Sequence, residues 1–289
     1  MTAKKRIEHA LDAALHRAEA DGAPPRLAAA MRSALFPPGA RLRPRLCLAV
    51  AAACGEDQPA LTDAAAAAIE MLHGASLVHD DLPCFDDAPL RRGKPSIHVA
   101  FGEPLAVLAG DALIVLAFET IARAGAAAPD RLATLLTSVS GAVGMPAGIV
   151  AGQAWESEPA TPLADYERAK TGALFAGASM AGAAAAGVDP APWRALGERL
   201  GEAYQVVDDI RDVTSRPDEV GKPTGRDETL GRPNAANQLG LDGALRRLDT
   251  LLAGTIASIP ACRGAADLEA LLRAEAVRFL PEKVVKRAA

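Results

Sequence analysis

Apolar residues recur along this chain at the three- and four-residue spacing of helices. Ile7, Leu11 and Leu15 form one such stripe near the N-terminus, and proline or glycine separates the segments that follow. No segment shows the alternation of apolar and polar positions that is typical of strands. The spacing therefore predicts about ten helices. After the first they cover approximately 27–35, 44–54, 61–82, 104–126, 131–155 with a break near 144–146, 162–187, 190–213, 241–259 and 267–279.

Composition places the chain in the all-α class. Hydrophobic residues make up 50% of it but aromatic residues only 3%, so the apolar side chains are mainly aliphatic. Small aliphatic side chains suit closely packed helices, and this many of them exclude a disordered chain. The 289 residues allow one large domain or two ordinary ones.

Charge and cysteine content indicate the cellular compartment and limit the classes of binding partner to expect. A net charge of −5 gives no electrostatic reason to expect a nucleic acid partner. The four cysteines include no C-x-x-C pair, which favours a reduced, cytoplasmic chain without disulfides. The N-terminus is charged and has no apolar signal core. The uncharged stretches 138–155 and 171–188 are too rich in Gly, Ala, Ser and Pro to span a membrane, so we expect no transmembrane segment.

Two clusters of aspartates carry the chemistry. Acids at the end of a helix oppose the helix dipole, and acids three and four residues apart within a helix repel one another. Both arrangements break local stability rules, which is where functional sites are expected. The first cluster lies at the end of the predicted helix 61–82 and the second within the predicted helix 190–213: Asp80, Asp81 and Asp86, then Asp208, Asp209 and Asp212.

Aspartates without neighbouring Cys ligands suit a hard cation such as Mg²⁺, which proteins often share with substrate phosphates. Basic residues that match phosphate oxygens occur near both clusters. We therefore expect a polyanion of the diphosphate kind to bind through Mg²⁺. Neither a Walker loop nor a dinucleotide-binding fingerprint is present. The candidate basic residues are Arg41, Arg43, Arg91, Arg92, Lys170, Lys222 and Arg226.

At these residues the chain resembles the trans-isoprenyl diphosphate synthases, or polyprenyl synthetases. The matching motifs run in order through most of the chain: His73 with 76–81 and Asp86, then 90–95, 108–113, 152–153, 170–174 and 204–212. Segments 39–44 and 152–158 are similar to a narrower group, the bacterial geranylgeranyl diphosphate synthases of carotenoid and bacteriochlorophyll pathways. The resemblance implies the isoprenoid synthase fold, with a single domain over 1–289, helices around a central cavity, and a homodimer.

The resemblance also implies a role for each site residue. Asp80 and Asp86 would bind two Mg²⁺ ions and Asp208 a third, with Asp81, Asp209 and Asp212 in support. An allylic diphosphate would contact Arg91, Lys170 and Lys222. The diphosphate of isopentenyl diphosphate would contact Arg43, His73 and Arg92. Thr171 and Gln205 would face the bond that breaks, and Lys170 would act with them.

Some positions depart from the family's usual pattern. Ala40 stands where lysine is usual, which removes one cation from the expected isopentenyl diphosphate site. Glu156 replaces a common aspartate and Arg226 a common lysine, so both charges are kept.

Product length depends on the residues one turn before Asp80. Ala75 and Ser76 are small there, whereas aromatic side chains would block a growing tail at fifteen carbons. Together with the resemblance, this favours geranylgeranyl diphosphate, with twenty carbons, over farnesyl diphosphate, with fifteen.

Three other readings use the same residues. A class I terpene cyclase normally replaces the second aspartate motif with an Asn/Ser/Glu pattern, and this chain keeps Asp208, Asp209 and Asp212. A metal phosphohydrolase built on His73 and the His79–Asp80 doublet would usually have its first histidine much farther from the doublet, and it would leave the second cluster unexplained. A non-catalytic partner subunit would tend to lose its aspartates. Elongation of allylic primers distinguishes a synthase from all three.

Overall fold

The computed structural model describes residues 1–159, 166, 168–214 and 235–279, and these residues form twelve α-helices. In chain order the helices are α1 Ala3–Ala18, α2 Pro25–Leu35, α3 Leu42–Cys54, α4 Pro59–Asp80, α5 Ile97–Phe101, α6 Glu103–Gly125, α7 Pro129–Val143, α8 Ile149–Ala154, α9 Ala173–Ala185, α10 Arg194–Thr214, α11 Ala235–Ala257 and α12 Ala265–Phe279. Short 3-10 turns cover Trp155–Ser157 and Ala191–Trp193, and a π-helical turn covers Arg168–Gly172. Strands β1 Leu90–Arg91 and β2 Lys94–Pro95 form a small antiparallel hairpin.

Helix α4 lies at the centre of the bundle because small side chains let its neighbours come close. Residues 64–68 of α4 are all alanine and all buried. Helix α4 packs along α6 and also contacts α3 and α9. Gly177 of α9 lies so close to α7 that a Cβ there would come within 2.4 Å of the Ala142 Cβ. The alanine-rich composition therefore serves close helix packing, as the sequence indicates.

The all-α prediction and most of the predicted helices are confirmed. Ile7, Leu11 and Leu15 are fully buried, and α7 and α8 are separated at the predicted break. The predicted helix 162–187 begins outside the described residues and ends as α9. Helix α11 begins at Ala235, earlier than predicted, and bends at Gly240, whose φ is 67°. All four cysteines are free in this structure.

Helix α6 differs from the other helices in its apolar character. Among the described residues it alone has the length and composition to cross a membrane, with a mean hydropathy of 2.0 over its most apolar window. Within the bundle, 44% of that window is buried. Neither stretch considered in the sequence, 138–155 or 171–188, meets the same criterion where it is described. Length and composition alone do not distinguish a core helix from a membrane helix.

Candidate active site

The first aspartate cluster lies where α4 ends and the chain turns back. Asp81 caps the helix, and the following loop folds over it through backbone bonds from Asp86 N to Asp80 O (2.9 Å) and from Ala88 N to Asp81 O (3.1 Å). Asp81 is buried and accepts two hydrogen bonds from Arg91 Nε, at 2.9 and 3.1 Å, as well as a contact from Arg91 Nη2. Arg91 thus compensates the buried Asp81 charge and fixes the loop that carries Asp86.

The β1–β2 hairpin presents Arg91 and Arg92 beside this cluster. Its turn has positive φ at both central residues, 55° at Arg92 and 74° at Gly93, which is the pattern of a tight two-residue hairpin. Positive φ is uncommon for arginine, and the tight turn accounts for it at Arg92. The Arg92 guanidinium lies against Gly39, where a Cβ would come within 2.6 Å of Arg92 Cζ. Glycine at 39 therefore makes room for this cation.

Asp80 has the properties of a cation ligand. Its Oδ1 atom is buried and accepts no hydrogen bond within the described part of the chain. Lys170 Nζ lies 3.5 Å from Oδ1, and Arg91 Nη2 lies 3.6 Å from Oδ2. Burial raises the pKa of Asp80, and the nearby Lys170 opposes that shift. A buried carboxylate oxygen without a hydrogen-bond donor fits a divalent cation that takes oxygen ligands.

Lys170 and Thr171 lie on the π-helical turn Arg168–Gly172, between α8 and α10. Lys170 Nζ contacts Glu156 Oε1, and Tyr166 OH donates to the same Glu156 oxygen at 2.6 Å. Gly152 of α8 allows this approach, because a Cβ there would lie 2.5 Å from Lys170 N and 2.7 Å from Lys170 Cα. The turn is thus held against α8 and directed toward Asp80.

The second aspartate cluster lies on α10 and is joined to the same turn. Thr171 Oγ1 donates to Gln205 Oε1 at 3.3 Å, and Gln205 Nε2 donates to Asp209 Oδ1 at 3.0 Å. Asp209 is buried and Asp208 is half-buried. The side chain of Asp212 lies outside the described residues. Lys170 therefore faces the first aspartate cluster while its neighbour Thr171 faces the second.

Arg43 and His73 form a separate basic patch together with Arg92. Arg43 Nη1 lies 3.4 Å from His73 Nε2. Burial and the charge of Arg43 hold the pKa of His73 well below its usual value, so the imidazole is neutral and accepts a hydrogen bond from Arg43. Burial also lowers the pKa of Arg43, although an arginine remains charged. This patch suits a second anion, apart from the one facing Lys170.

Arg41 has a structural role rather than the anion-binding role considered for it in the sequence. Its side chain is buried, and it bonds to Glu70 Oε1 at 2.5 Å, Glu8 Oε1 at 2.9 Å and Leu35 O at 2.7 Å. Two carboxylates and a carbonyl already satisfy its guanidinium, so it ties α1, α2 and α4 together.

Comparisons with known proteins identify the family. The polyprenyl synthetase family model matches residues 24–254. The chain belongs to the polyprenyl synthetase family. It is 53% identical to a geranylgeranyl diphosphate synthase of Cereibacter sphaeroides, over 99% of this chain and 100% of that protein. It is 50% identical to a geranylgeranyl diphosphate synthase of Rhodobacter capsulatus, over 97% of each chain.

A solved structure extends the comparison to the fold. The geranyltransferase of Helicobacter pylori, complexed with magnesium and isoprenyl diphosphate, has a TM-score of 0.77 and 29% identity, covering 95% of this chain and 97% of that one. The predicted family and the predicted isoprenoid synthase fold are thereby confirmed.

The structure of this polyprenyl synthetase brings most of the predicted site residues together in small groups. Arg91 joins Asp80 and Asp81, and Thr171 joins Gln205. Lys222 and Arg226 lie outside the described residues, so their roles stay predictions. No group of three or more His, Cys, Asp or Glu side chains forms a ready metal cage within the described residues. A cation that the protein shares with diphosphate oxygens needs no such cage.

Ala75 and Ser76 lie on α4 before the first aspartate cluster, and their role in product length stays a prediction. Ala75 is buried, and Ser76 Oγ donates to His73 O at 2.9 Å. The neighbouring Gly74 packs on α2, since a Cβ there would lie 2.6 Å from Leu35 Cδ2. An apolar cavity of about 50 Å³ lies elsewhere, bordered by α3, α9, α10, α11 and α12.

Sequence reasoning missed two sets of residues at this polyprenyl synthetase site. Glu156 is noted there only as a replacement for aspartate, whereas it holds Lys170 in place. Phe175 and Tyr204 are not considered as site residues, yet their rings lie against Arg43. In a chain with only 3% aromatic residues, an aromatic directly after the 170–174 motif and another at the start of the 204–212 motif are a usable signal.

Proposed function

We propose that this chain is a geranylgeranyl diphosphate synthase, a prenyltransferase that joins isopentenyl diphosphate head-to-tail to dimethylallyl, geranyl and farnesyl diphosphates. One observation carries the proposal: Lys170 and Thr171, adjacent on one turn, connect the two aspartate clusters. An allylic diphosphate between those clusters would have cations around its phosphates and hydroxyl and amide oxygens at its reacting carbon. The near full-length similarity to two bacterial geranylgeranyl diphosphate synthases supports the same reaction.

The aspartate clusters are proposed to hold Mg²⁺. Asp80 and Asp86 would bind two ions and Asp208 a third, with Asp81, Asp209 and Asp212 in support. The buried Asp80 Oδ1 atom, which has no hydrogen-bond donor within the part of the chain that the structure describes, supports this assignment. When bound, Mg²⁺ neutralises the negative charge that develops on the departing diphosphate.

The protein's own cations would bind and orient two diphosphates. Arg91 and Lys170, with Lys222, would hold the allylic diphosphate beside the first aspartate cluster. Arg43, His73 and Arg92 would hold the diphosphate of isopentenyl diphosphate, and Arg226 would add a further positive charge. The neutral His73 supports Arg43 without repelling it.

Thr171 and Gln205 are proposed to stabilise the allylic carbon as positive charge develops there. Their oxygens are already within 3.3 Å of each other, so both can face one point. The bond from the allylic carbon to its diphosphate oxygen breaks, and the double bond of isopentenyl diphosphate forms the new carbon–carbon bond. The proton then lost from the isopentenyl unit passes to the departed pyrophosphate.

The decisive experiment is incubation of the purified protein with isopentenyl diphosphate, each allylic primer and Mg²⁺, followed by analysis of product chain length. We expect geranylgeranyl diphosphate as the main product. Asp80→Asn should lower the rate about 10²-fold or more, because an amide is a poor ligand for the cation. Asp57→Asn is the matched control, since Asp57 is exposed and pairs only with Arg131 in the described residues. If farnesyl diphosphate is the end product, the proposed twenty-carbon product is wrong. If no primer is elongated, the proposed prenyltransferase reaction is wrong.

We further infer a homodimer in the cytoplasm. Helix α6 exposes a row of apolar side chains at seven-residue spacing, Leu108, Val115 and Ala122. Beside it, a groove of about 670 Å³ is lined by residues of α6 and α7, among them Phe118 and Leu136. A second copy of the chain would cover this face. That the product of this enzyme supplies carotenoid synthesis stays a prediction from the resemblance.

A further inference from the structure

We infer that Phe175 and Tyr204 are positioning residues that seat the Arg43 guanidinium for the diphosphate of isopentenyl diphosphate while leaving its charge available. The two side chains are called the aromatic seat below. This inference rests on the proposed function, because it takes Arg43 as a ligand of that substrate.

The geometry of the aromatic seat is that of a cation held over ring faces. Arg43 Cζ lies 4.3 Å from the centroid of the Phe175 ring and 5.9 Å from that of Tyr204. The two ring centroids are 5.5 Å apart and the rings are tilted by 45°. Both distances lie within the range in which a guanidinium is attracted to an aromatic ring. Both rings of the seat therefore border the Arg43 guanidinium.

Two glycines of α10 bring the rings together. A Cβ on Gly197 would lie 2.4 Å from Phe175 O, and one on Gly201 would lie 2.9 Å from Gly172 Cα and 3.4 Å from Phe175 Cδ2. Helices α9 and α10 can cross this closely only with glycine at those positions. Phe175 on α9 and Tyr204 on α10 then meet beside the first turn of α3, which carries Arg43.

Arg41 and Arg43 differ in their ion pairs rather than in having a ring nearby, since Arg41 Cζ also lies 5.6 Å from the centroid of the Phe36 ring. Arg41 is satisfied by the carboxylates of Glu8 and Glu70, so its charge is already neutralised. Arg43 has no ion pair among the described residues, and its buried Nε atom has no hydrogen-bond partner there. A carboxylate would compete with an incoming diphosphate for the guanidinium, whereas a ring face stabilises the cation and adds no competing negative charge.

Steady-state kinetics of ring-removing variants test the seat. Phe175→Leu and Tyr204→Leu should each raise KM for isopentenyl diphosphate by about fivefold, the loss expected for one cation–ring contact. We expect KM for the allylic primer and kcat at saturation to stay within twofold of the wild-type values. Tyr204→Phe keeps the ring, so its KM for isopentenyl diphosphate should equal that of the wild type.

The same ring substitution made in an Arg43→Lys protein distinguishes an effect on Arg43 from a general loss of packing. Arg43→Lys keeps a charge but loses the flat guanidinium. If the seat acts through Arg43, Phe175→Leu should raise KM much less in the Arg43→Lys protein than in the wild type. Leu11→Ala, a buried change in α1 away from the site, controls for lost stability and should leave KM for isopentenyl diphosphate unchanged.

The outcomes are distinct from those for the proposed function. If the wild-type protein elongates no primer, the proposed function is wrong and the inference falls with it. If the wild type is active but both ring-removing variants keep the wild-type KM for isopentenyl diphosphate, the seat alone is refuted. Equal effects of Phe175→Leu in the wild-type and Arg43→Lys backgrounds would also refute it. Where Phe175→Leu does not fold, Tyr204→Leu and Tyr204→Phe provide the same comparison.

Discussion

At the scale of single residues, surroundings rather than residue type decide which arginines are available to a ligand. Arg41 and Arg43 lie two positions apart in the same short motif, and residue type and spacing alone do not separate them. Arg41 turns inward to Glu8 and Glu70, while Arg43 turns to His73 and two aromatic rings. The partners that make this difference lie 27 or more residues away from Arg43 along the chain or on other helices. Only the fold brings them together.

His73 gives the folded protein a predictable response to acid. Its pKa lies well below 6.5 in the folded state, because of burial and the nearby Arg43, and returns to about 6.5 on unfolding. Below pH 6.5 the unfolded chain therefore binds a proton that the folded chain does not. The free energy of unfolding should fall by up to about 1.4 kcal/mol for each pH unit below 6.5, until the folded pKa is reached.

Urea unfolding at pH 7.5, 6.5 and 5.5 measures this effect against His73→Gln. Glutamine has no proton to gain, so the variant should lose less stability than the wild type over the same interval, and other titrating groups cancel in the difference. Parallel pH curves for the two proteins would contradict a depressed His73 pKa. If the free energy of unfolding falls less steeply with acid in the wild type than in His73→Gln, the pKa of His73 is raised rather than lowered on folding.

Ala75 is predicted to set the product length. It is buried one turn before Asp80, on the helix beside which the tail is proposed to grow. Ala75→Tyr would fill that space, so growth should stop earlier and farnesyl diphosphate should become the main product. Product chain length by chromatography is the measurement. The control Ser76→Ala changes the side-chain volume little at the neighbouring position and should leave the product unchanged. An unchanged product in Ala75→Tyr would show that another residue limits the length of the tail.

At the scale of elements, the π-helical turn Arg168–Gly172 depends on a glycine of another helix. A Cβ at Gly152 would meet the backbone of Lys170 at 2.5 Å, and a backbone cannot rotate away as a side chain can. Gly152→Ala should push the turn and weaken the alignment of Lys170 and Thr171. We expect kcat to fall about tenfold or more, since misplacing a reacting group by about 1 Å is costly. Stopped assays with saturating substrates measure kcat.

Gly141→Ala is the matched control for this change. Gly141 lies on the exposed side of α7 with nothing within 4 Å of the position of a Cβ. Alanine there should leave kcat unchanged and stabilise the helix by about 0.5–1 kcal/mol. If the two variants show the same kcat, Gly152 does not position the turn.

Local pattern predicted the long helices well and the short elements poorly. The apolar stripe of α1 and the proline and glycine breaks of α7 and α8 are local features, so spacing is enough to find them. The β1–β2 hairpin has two residues in each strand, too few for an alternating pattern to be visible. The π-helical turn is held by Gly152 and Glu156 from outside its own segment. The aspartate clusters are visible in the sequence because like charges within a helix, and acids at its end, are locally unfavourable. Phe175 and Tyr204 are ordinary apolar positions of their helices, so the local pattern does not mark them.

At the scale of the whole molecule, the outward face of α6 is the feature that the single chain leaves unexplained. Val115 is 66% exposed and Leu108 is 50% exposed, on a helix whose other face packs on α4. Apolar rows of this kind mark contacts with another protein or a membrane. A second copy is favoured, because a row at seven-residue spacing can pack on its own equivalent across a two-fold axis.

A charge on this row tests the homodimer. Val115→Glu would place a carboxylate in the interface, where its desolvation opposes association. We expect the wild type to have the mass of a dimer by light scattering at micromolar concentration, and Val115→Glu to dissociate at least about tenfold more readily. Val188→Glu is the control, since Val188 is 39% exposed just beyond α9, away from α6. A monomeric wild type would refute the dimer, and a wild type that is monomeric and sediments with phospholipid vesicles would assign the row to a membrane surface instead. Equal association of the wild type and Val115→Glu would show that two copies meet through another face.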